Sequence, residues 1–418
     1  MAESRSFIAG IGFGPSNIAL AVAMRDLGFD QSARFFEKAP SEQWQHHMLL
    51  SGSDIQHNPL RDFSTPVNPM GFFTFANYLK EKNKFFEYLN LGLTYAYRLE
   101  FADYVTWVRS HFEEWIEPSC VERLERTTGS SPEWKITLAT GDCHFAKVAI
   151  VGTGRARRIP KVPGVEGNRA VIHLSDYLAH VSDRQRTDPI IIVGASQSAA
   201  EIAIDLLRRG FSNLYLVHRS FSLQLKDTSP FSDHVYFPEF TDYYYSLPPA
   251  ARAEIGRELR RTNYSSVDKD VLDDLYRLRY QAGLAGEQPL RILNNHELVE
   301  FTSTGAGHAL RIRERYLGTE QTIPFALTVF ATGFLDMGAD GPDAIPAPLR
   351  DLTADLITDA GGIDVSRNYR VNFARGGSYP PLFLNGLCEN SHGLGDAGSF
   401  SLVSIRARDI LSAIQDLA

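Results

Sequence analysis

Cysteine is nearly missing from this chain: three residues in 418, Cys120, Cys143 and Cys388, with no CxxC pair among them. That excludes a disulfide scaffold, a thiolate zinc site and a paired-cysteine redox centre, and no metal is expected. Basic charge is not in excess, with 42 Lys and Arg against 50 Asp and Glu. A chain of that balance is not built to coat nucleic acid or an anionic membrane. No apolar run approaches the roughly 18 residues of a membrane span. Residues 1–6 pass straight into an apolar strand without a signal-peptide layout, so a cytoplasmic location is expected. Low-complexity tracts are also missing. At about 150 residues per domain, the length allows two or three folded units.

What is present is nucleotide-binding architecture. Phe7-Ile8-Ala9-Gly10-Ile11-Gly12-Phe13-Gly14-Pro15-Ser16 reads as a strand, a glycine turn and a helix start. The helix over 18–27 and a strand over 33–37 complete a βαβ unit. Gly10, Gly12 and Gly14 let a pyrophosphate approach backbone N–H groups at a helix N-terminus, and Pro15 suits the first helical turn. Glu37 closes the second strand, where a carboxylate accepts from an adenosine ribose. A second unit follows: the branched strand Ile190-Ile191-Ile192-Val193, the turn Gly194 to Ser198, a helix over 199–209 and a strand ending at Arg219. Ser196 stands where glycine is more usual. Arg219 stands where an acid would meet the ribose of NADH, and a cation there favours the extra phosphate of NADPH. Two helices, over 248–261 and 267–281, interrupt the α/β pattern, which returns at the strand over 325–330. Arg155, Arg157 and Arg158 form a basic run expected on a linker surface. Two dinucleotide sites without a redox cysteine pair point to a flavin reduced by NADPH and reoxidised by molecular oxygen.

These segments resemble the class B N-hydroxylating flavin monooxygenases, the ornithine and lysine hydroxylases of siderophore pathways. The resemblance runs through Gly10 to Asn17, Trp44, Met48-Leu49-Leu50, Gln56, Leu60-Arg61-Asp62 and Gly194 to Glu201. It continues in Asp227-Thr228-Ser229-Pro230-Phe231, Thr262-Asn263-Tyr264-Ser265, Ala331-Thr332-Gly333-Phe334 and Ser391-His392-Gly393-Leu394. It implies an α/β fold with two Rossmann-like domains, for FAD and NADPH, and a small helical insertion. The expected division is FAD domain 1–165, NADPH domain 166–232, helical substrate-side domain 233–287, NADPH domain again over 288–325, and FAD domain over 326–418. It further implies FAD, NADPH and oxygen as reactants, a peroxyflavin attacked by a neutral amine, and a homo-oligomer.

Carried onto this chain, the family's Gln and Asn fall on Gln56 and Asn263, beside flavin, NADP and substrate. FAD contacts are implied at Gly10, Gly12, Gly14, Pro15, Ser16, Glu37, Lys38, Trp44, Met48, Gln56, Thr332, Gly333, Gly393 and Leu394. NADPH contacts are implied at Gly194, Ser196, Gln197, Ser198, Arg219, Asn263 and Tyr264. The family lysine that meets the substrate carboxylate corresponds to Arg61, and an asparagine of the ornithine pocket to Phe237. Arginine offers a planar fork for a carboxylate, and a phenylalanine would shorten the pocket. With His57, Arg291 and Arg406 as further substrate-side candidates, a small anionic amino acid is expected. L-Aspartate, hydroxylated and oxidised onward to nitrosuccinate, is therefore favoured over ornithine, lysine or a diamine.

Overall fold

The first strand, Ser4–Ile11, is buried over its last four residues because parallel strands flank it on both sides. A strand covered in this way must be apolar on both faces, and Ile8-Ala9-Gly10-Ile11 meets that demand. The structure, a computed structural model, describes residues 4–305, 307–358 and 362–417, so the first three residues of the expected N-terminal segment lie outside it. The first sheet runs Ile116–Glu117, Ala33–Phe36, Ser4–Ile11, Cys143–Val151, Trp134–Leu138, Val121–Arg126. Leu382–Leu384 adds to the end of Cys143–Val151, which brings the far C-terminal segment into the first domain. The helices Pro15–Asp26 and Val403–Gln415 pack together over this sheet.

The second sheet is wholly parallel, in the order Leu290–Leu293, Leu214–Val217, Ile190–Val193, Leu327–Phe330, Val171–His173. Its central strand divides its side chains by strand periodicity. Ile190 and Ile192 join the core under the helix Gln197–Arg208, whereas Ile191 and Val193 join the core under an antiparallel three-stranded sheet. That small sheet comprises His296–Thr304, Gly307–Glu314 and Glu320–Phe325. Among the described residues, no helix is long and apolar enough to cross a membrane.

The α/β architecture with two Rossmann-like sheets is as expected, but two of the expected boundaries move. Leu327–Phe330 hydrogen-bonds to Ile190–Val193 and Val171–His173, so the chain is still in the second sheet past residue 326. The helical segment does not stand apart as far as 287 either. The helix Lys269–Leu284 contributes Leu275 to the core beneath Gln197–Arg208, with Val271, Leu272 and Leu278 packed against that core. Pro249–Glu258 continues as a 3₁₀ turn over Leu259–Thr262, and a further helix, Pro238–Ser246, contains the Tyr243-Tyr244-Tyr245 run. Tyr245 there donates to the Val365 carbonyl at 3.1 Å, tying the insertion to the C-terminal segment.

Candidate active site

Both strand-to-helix turns demand glycine for a steric reason. Gly12 has φ +83°, and a Cβ on it would lie 2.8 Å from the Gly152 carbonyl oxygen. Gly194 has φ +146°, and its Cβ would lie 2.5 Å from the Ala331 oxygen. At Gly14, by contrast, a Cβ would meet nothing within 4 Å, so the turn opens onto space rather than protein. The fully buried Asn17 donates to the Gly12 carbonyl at 2.7 Å and fixes the first turn. Neither following helix has a side-chain cap on its first N–H groups, which suits an anion, although in the second helix the Gln197 N–H is already taken by the Ser266 carbonyl at 2.9 Å.

The two turns face one cavity of about 800 Å³. That is toward the large end of the range for cofactor clefts, roughly 300–1,000 Å³. Gly14, Pro15, Glu37, Lys38, Trp44, Met48, Gln56, His57 and Arg61 line it from the first domain, Gln197 and Ser198 from the second, and Asn263 from the insertion. Glu37 accepts from the Phe13 N–H at 2.7 Å and from the Ala39 N–H at 3.1 Å, so its carboxylate is fixed at the cavity wall with lone pairs to spare.

The structure does not bring the other expected residues to this cavity, and in each case the reason is visible. Gly10 lies within the first strand, and Gly12, Gly194 and Ser196 form the turns, none of the four lining the cavity. Ser16 turns its hydroxyl to the Arg406 guanidinium at 3.1 Å. Thr332 and Gly333 spend their polar groups on the segment joining the domains. Thr332 donates to the Arg158 carbonyl, and the Gly333 oxygen accepts from Arg158 N–H at 3.0 Å and His173 Nε2 at 2.8 Å. Gly393 packs on the Phe240 ring, and Leu394 uses its carbonyl to hold the Asn263 side-chain amide at 3.3 Å. Tyr264 is bonded to Glu389 and to Arg155 behind the cavity wall. Arg219 is exposed just past the strand Leu214–Val217.

Three expected substrate ligands lie away from the cavity wall. Arg291 projects from the edge of the second sheet onto Tyr215 and Asn213. Arg406 is 2 % exposed and closed off by Asp396 at 2.9 Å, Asn385 and Ser16. Phe237 is 42 % exposed and stacked on His234. The 3₁₀ turn Ser232–Tyr236 has a repeat of three, so Asp233 and Tyr236 share the face that lines the cavity, and Phe237 falls outside it. Of the basic run, Arg155 departs from the expected linker surface, being ion-paired with Glu389 and largely buried, whereas Arg157 and Arg158 are about half-exposed, paired with Asp176 and Asp340, and Arg157 also lines the cavity.

Residues 6–336 match the family model described as L-lysine 6-monooxygenase/L-ornithine 5-monooxygenase. The chain belongs to this family. An L-ornithine N(5)-monooxygenase of Burkholderia cepacia is 33 % identical over 417 residues, covering 92 % of this chain and 89 % of that protein. One from Ajellomyces capsulatus is 30 % identical, covering 97 % and 89 %. Among solved structures, an ornithine hydroxylase from Pseudomonas aeruginosa superposes with a TM-score of 0.89 at 29 % identity, covering 99 % of this chain and 100 % of that one. An ornithine N-hydroxylase from Kutzneria sp. 744, solved with reduced FAD, NADP⁺ and L-ornithine, gives 0.90 at 26 % identity, covering 99 % of both. This N-monooxygenase is thus a flavoenzyme that uses FAD and NADPH, with oxygen as co-substrate. The residues present fit those groups: an open glycine turn with Glu37 and Lys38 for FAD, and the Gln197–Ser198 helix start facing the same cavity for NADPH.

Around Arg61, beside the expected His57, the monooxygenase carries Asp54, Lys226 and Asp233, to which the motifs did not point. Arg61 donates to Ser401 Oγ at 3.0 Å, lies 5.6 Å from the Tyr236 ring, and has no carboxylate partner among the described residues. Lys226 does have one, Asp268, at 3.5 Å. Burial raises the carboxyl of Asp233 above its ordinary range, against the pull of Arg61 and Lys226. Asp54 is pushed up to about 6 by burial, with Asp268, Asp270 and Glu201 adding to the rise. His57 is pushed down to about 4 by burial, with Arg61 and Lys226 acting in the same direction. Its Nδ1 faces the Asn58 carbonyl at 3.0 Å, which requires the proton on Nδ1 and leaves Nε2 an acceptor, buried and unpartnered. The only signal for Asp233 in the sequence was its place three residues before Tyr236.

Proposed function

We propose that this N-monooxygenase hydroxylates the terminal amine of L-ornithine. FAD, reduced by NADPH, supplies the activation of oxygen, and the protein's task is to bind the amino acid and present its amine uncharged. The observation that carries the reading is Arg61, a cavity cation with no carboxylate partner among the described residues, sharing the cavity with the carboxyl group of Asp233. One end of a zwitterion satisfies both: the guanidinium fork takes the α-carboxylate and Asp233 the α-ammonium. Gln56 and Asn263, amides lining the same cavity, then bracket the reacting amine. Arg219 is proposed to read the 2′-phosphate of NADPH from its place past the strand end.

The relatives named as ornithine monooxygenases support the same choice. The aspartate expectation rested on Arg61, on a pocket shortened by Phe237 and on further cations at Arg291 and Arg406; of these only Arg61 lines the cavity, while Arg291 and Arg406 have partners elsewhere.

The test is product formation by the FAD-loaded enzyme with NADPH and oxygen, offering ornithine, lysine, putrescine, aspartate and glutamate in parallel. N5-hydroxyornithine as the main product is expected, and hydroxylamine or nitro product from aspartate alone would overturn the assignment. Arg61→Ala should raise the KM for ornithine by about 10- to 150-fold, the worth of a charge-assisted hydrogen bond of roughly 1.5–3 kcal/mol. An unchanged KM would remove Arg61 from the carboxylate site.

A further inference from the structure

Asp268 occupies the N-cap position of the helix Lys269–Leu284 with extended backbone, φ −62° and ψ 148°, yet its side chain does not cap that helix. Aspartate is among the best capping residues, so a carboxylate diverted from this role has another partner to hold. Oδ2 accepts from the Nε2 of Gln56. Oδ1 lies 3.5 Å from the Lys226 ammonium. The Asp268 backbone N–H donates to Gln197 Oε1 at 2.9 Å, and Gln197 Nε2 passes on to Glu201 at 3.0 Å. Gln56, Lys226 and Gln197 come from three separate segments and all line the cavity. Asp268 itself is not on the cavity wall. It stands behind that wall and joins three of its members.

Gln56 has φ +58°, a left-handed conformation that a glutamine adopts only where surrounding structure enforces it. The Asp54 carboxylate accepts from its backbone N–H at 2.9 Å, and Asp268 fixes the other end. A carboxylate only accepts, so it selects the NH₂ of the amide and leaves the carbonyl oxygen for the cavity. Gln56 is thereby set as an acceptor, suited to an N–H donor such as the substrate amine.

We propose that Asp268 is a positioning residue of the N-monooxygenase: it sets the orientation of the Gln56 amide, and through it the fraction of reducing equivalents that reach the amine. The inference rests on the family's activity and not on the choice of ornithine, so it is tested with whichever amine proves to be the substrate.

The experiment measures hydroxylamine formed per NADPH consumed by the FAD-loaded enzyme, for Asp268→Ala, Asp268→Asn, Gln56→Ala and the Gln56→Ala/Asp268→Ala double variant. Asp268→Ala should lower that ratio by about tenfold or more, as loss of a hydrogen bond to a charged group does. Asp268→Asn retains an acceptor oxygen for Gln56 and loses the ion pair with Lys226, so it should recover most of the ratio. The double variant should be no worse than Gln56→Ala, because residues acting through one group are not additive. An unchanged ratio in Asp268→Ala overturns the proposal, as does a double variant in which the two losses multiply. If Asp268→Ala fails to fold, Asp268→Asn decides: a ratio as low as that of Gln56→Ala means that the amide is not what Asp268 holds.

Discussion

A carboxyl group buried among other carboxyl groups keeps its proton, and Asp336 is placed so. Burial pushes it up to about 8, with Glu389, Asp340 and Asp396 adding to the rise and Arg155 opposing it, and its Oδ1 is buried without a partner. Between its unfolded value near 4 and the folded value near 8, the unfolded chain has lost this proton while the folded one retains it. Stability from this residue is therefore full below about pH 4 and falls as pH rises to 8. Asp336→Asn mimics the protonated group, so the drop in unfolding free energy from pH 5 to pH 9 should be smaller than in the parent. Denaturant titrations at both pH values check it, and an equal drop in both proteins would show Asp336 ionised when folded. None of this was legible in the chain, because Asp336, Glu389 and Asp396 come together only in the fold. The same holds for Asp233 and Phe237. Motif alignment could place a substrate residue in this segment, but only the 3₁₀ turn decides that Asp233 and Tyr236 face inward.

Elements were far easier to read than side-chain partners. Strand periodicity in Ile190-Ile191-Ile192-Val193 and the glycines at 12 and 194 depend on local sterics, and both turns formed where expected. What local pattern cannot show is how a distant element closes a site. The helix Val403–Gln415 carries Arg406, and its sequence gave no way to tell a substrate ligand from a structural cation. In the fold Arg406 reaches Asp396, the Asn385 side chain and Ser16 on the first turn of Pro15–Asp26. The C-terminal helix thus braces the first glycine turn from behind. Arg406→Met strands the Asp396 carboxylate, 2 % exposed, without its cation. That should cost about 3–5 kcal/mol and weaken FAD retention without changing the KM for the amino-acid substrate. Thermal unfolding with and without added FAD tests it. A variant that lost substrate affinity while keeping FAD and stability would return Arg406 to the substrate site.

At the scale of the molecule, hydride donor and acceptor must meet across two separately built sheets, and buried charge holds those sheets in register. Arg98, from the helix Arg98–Ser110 of the first domain, binds Glu201, from Gln197–Arg208 of the second, through two hydrogen bonds of 2.8 and 3.0 Å. Both side chains are less than a tenth exposed. Arg98 also donates to the Met48 and Asp54 carbonyls, so the loop carrying Gln56 hangs on the same guanidinium. A pair of this kind adds little net stability over an apolar contact, yet breaking it is costly. It fixes orientation rather than supplying cohesion. Arg98→Met leaves Glu201 charged and unpaired, which should cost about 3–5 kcal/mol. The melting temperature should fall by roughly 2–4 °C per kcal/mol for a unit of this size. Calorimetry should show the two nucleotide domains unfolding further apart in temperature than in the parent, with the KM for NADPH raised. Adding Glu201→Met removes the orphaned charge, and should recover stability while leaving the KM for NADPH high, since apolar contact does not restore a bidentate register. Were the double variant to recover both, the clamp would be a matter of stability alone. Recovery of stability without recovery of NADPH binding would separate the hold of the two domains from their alignment.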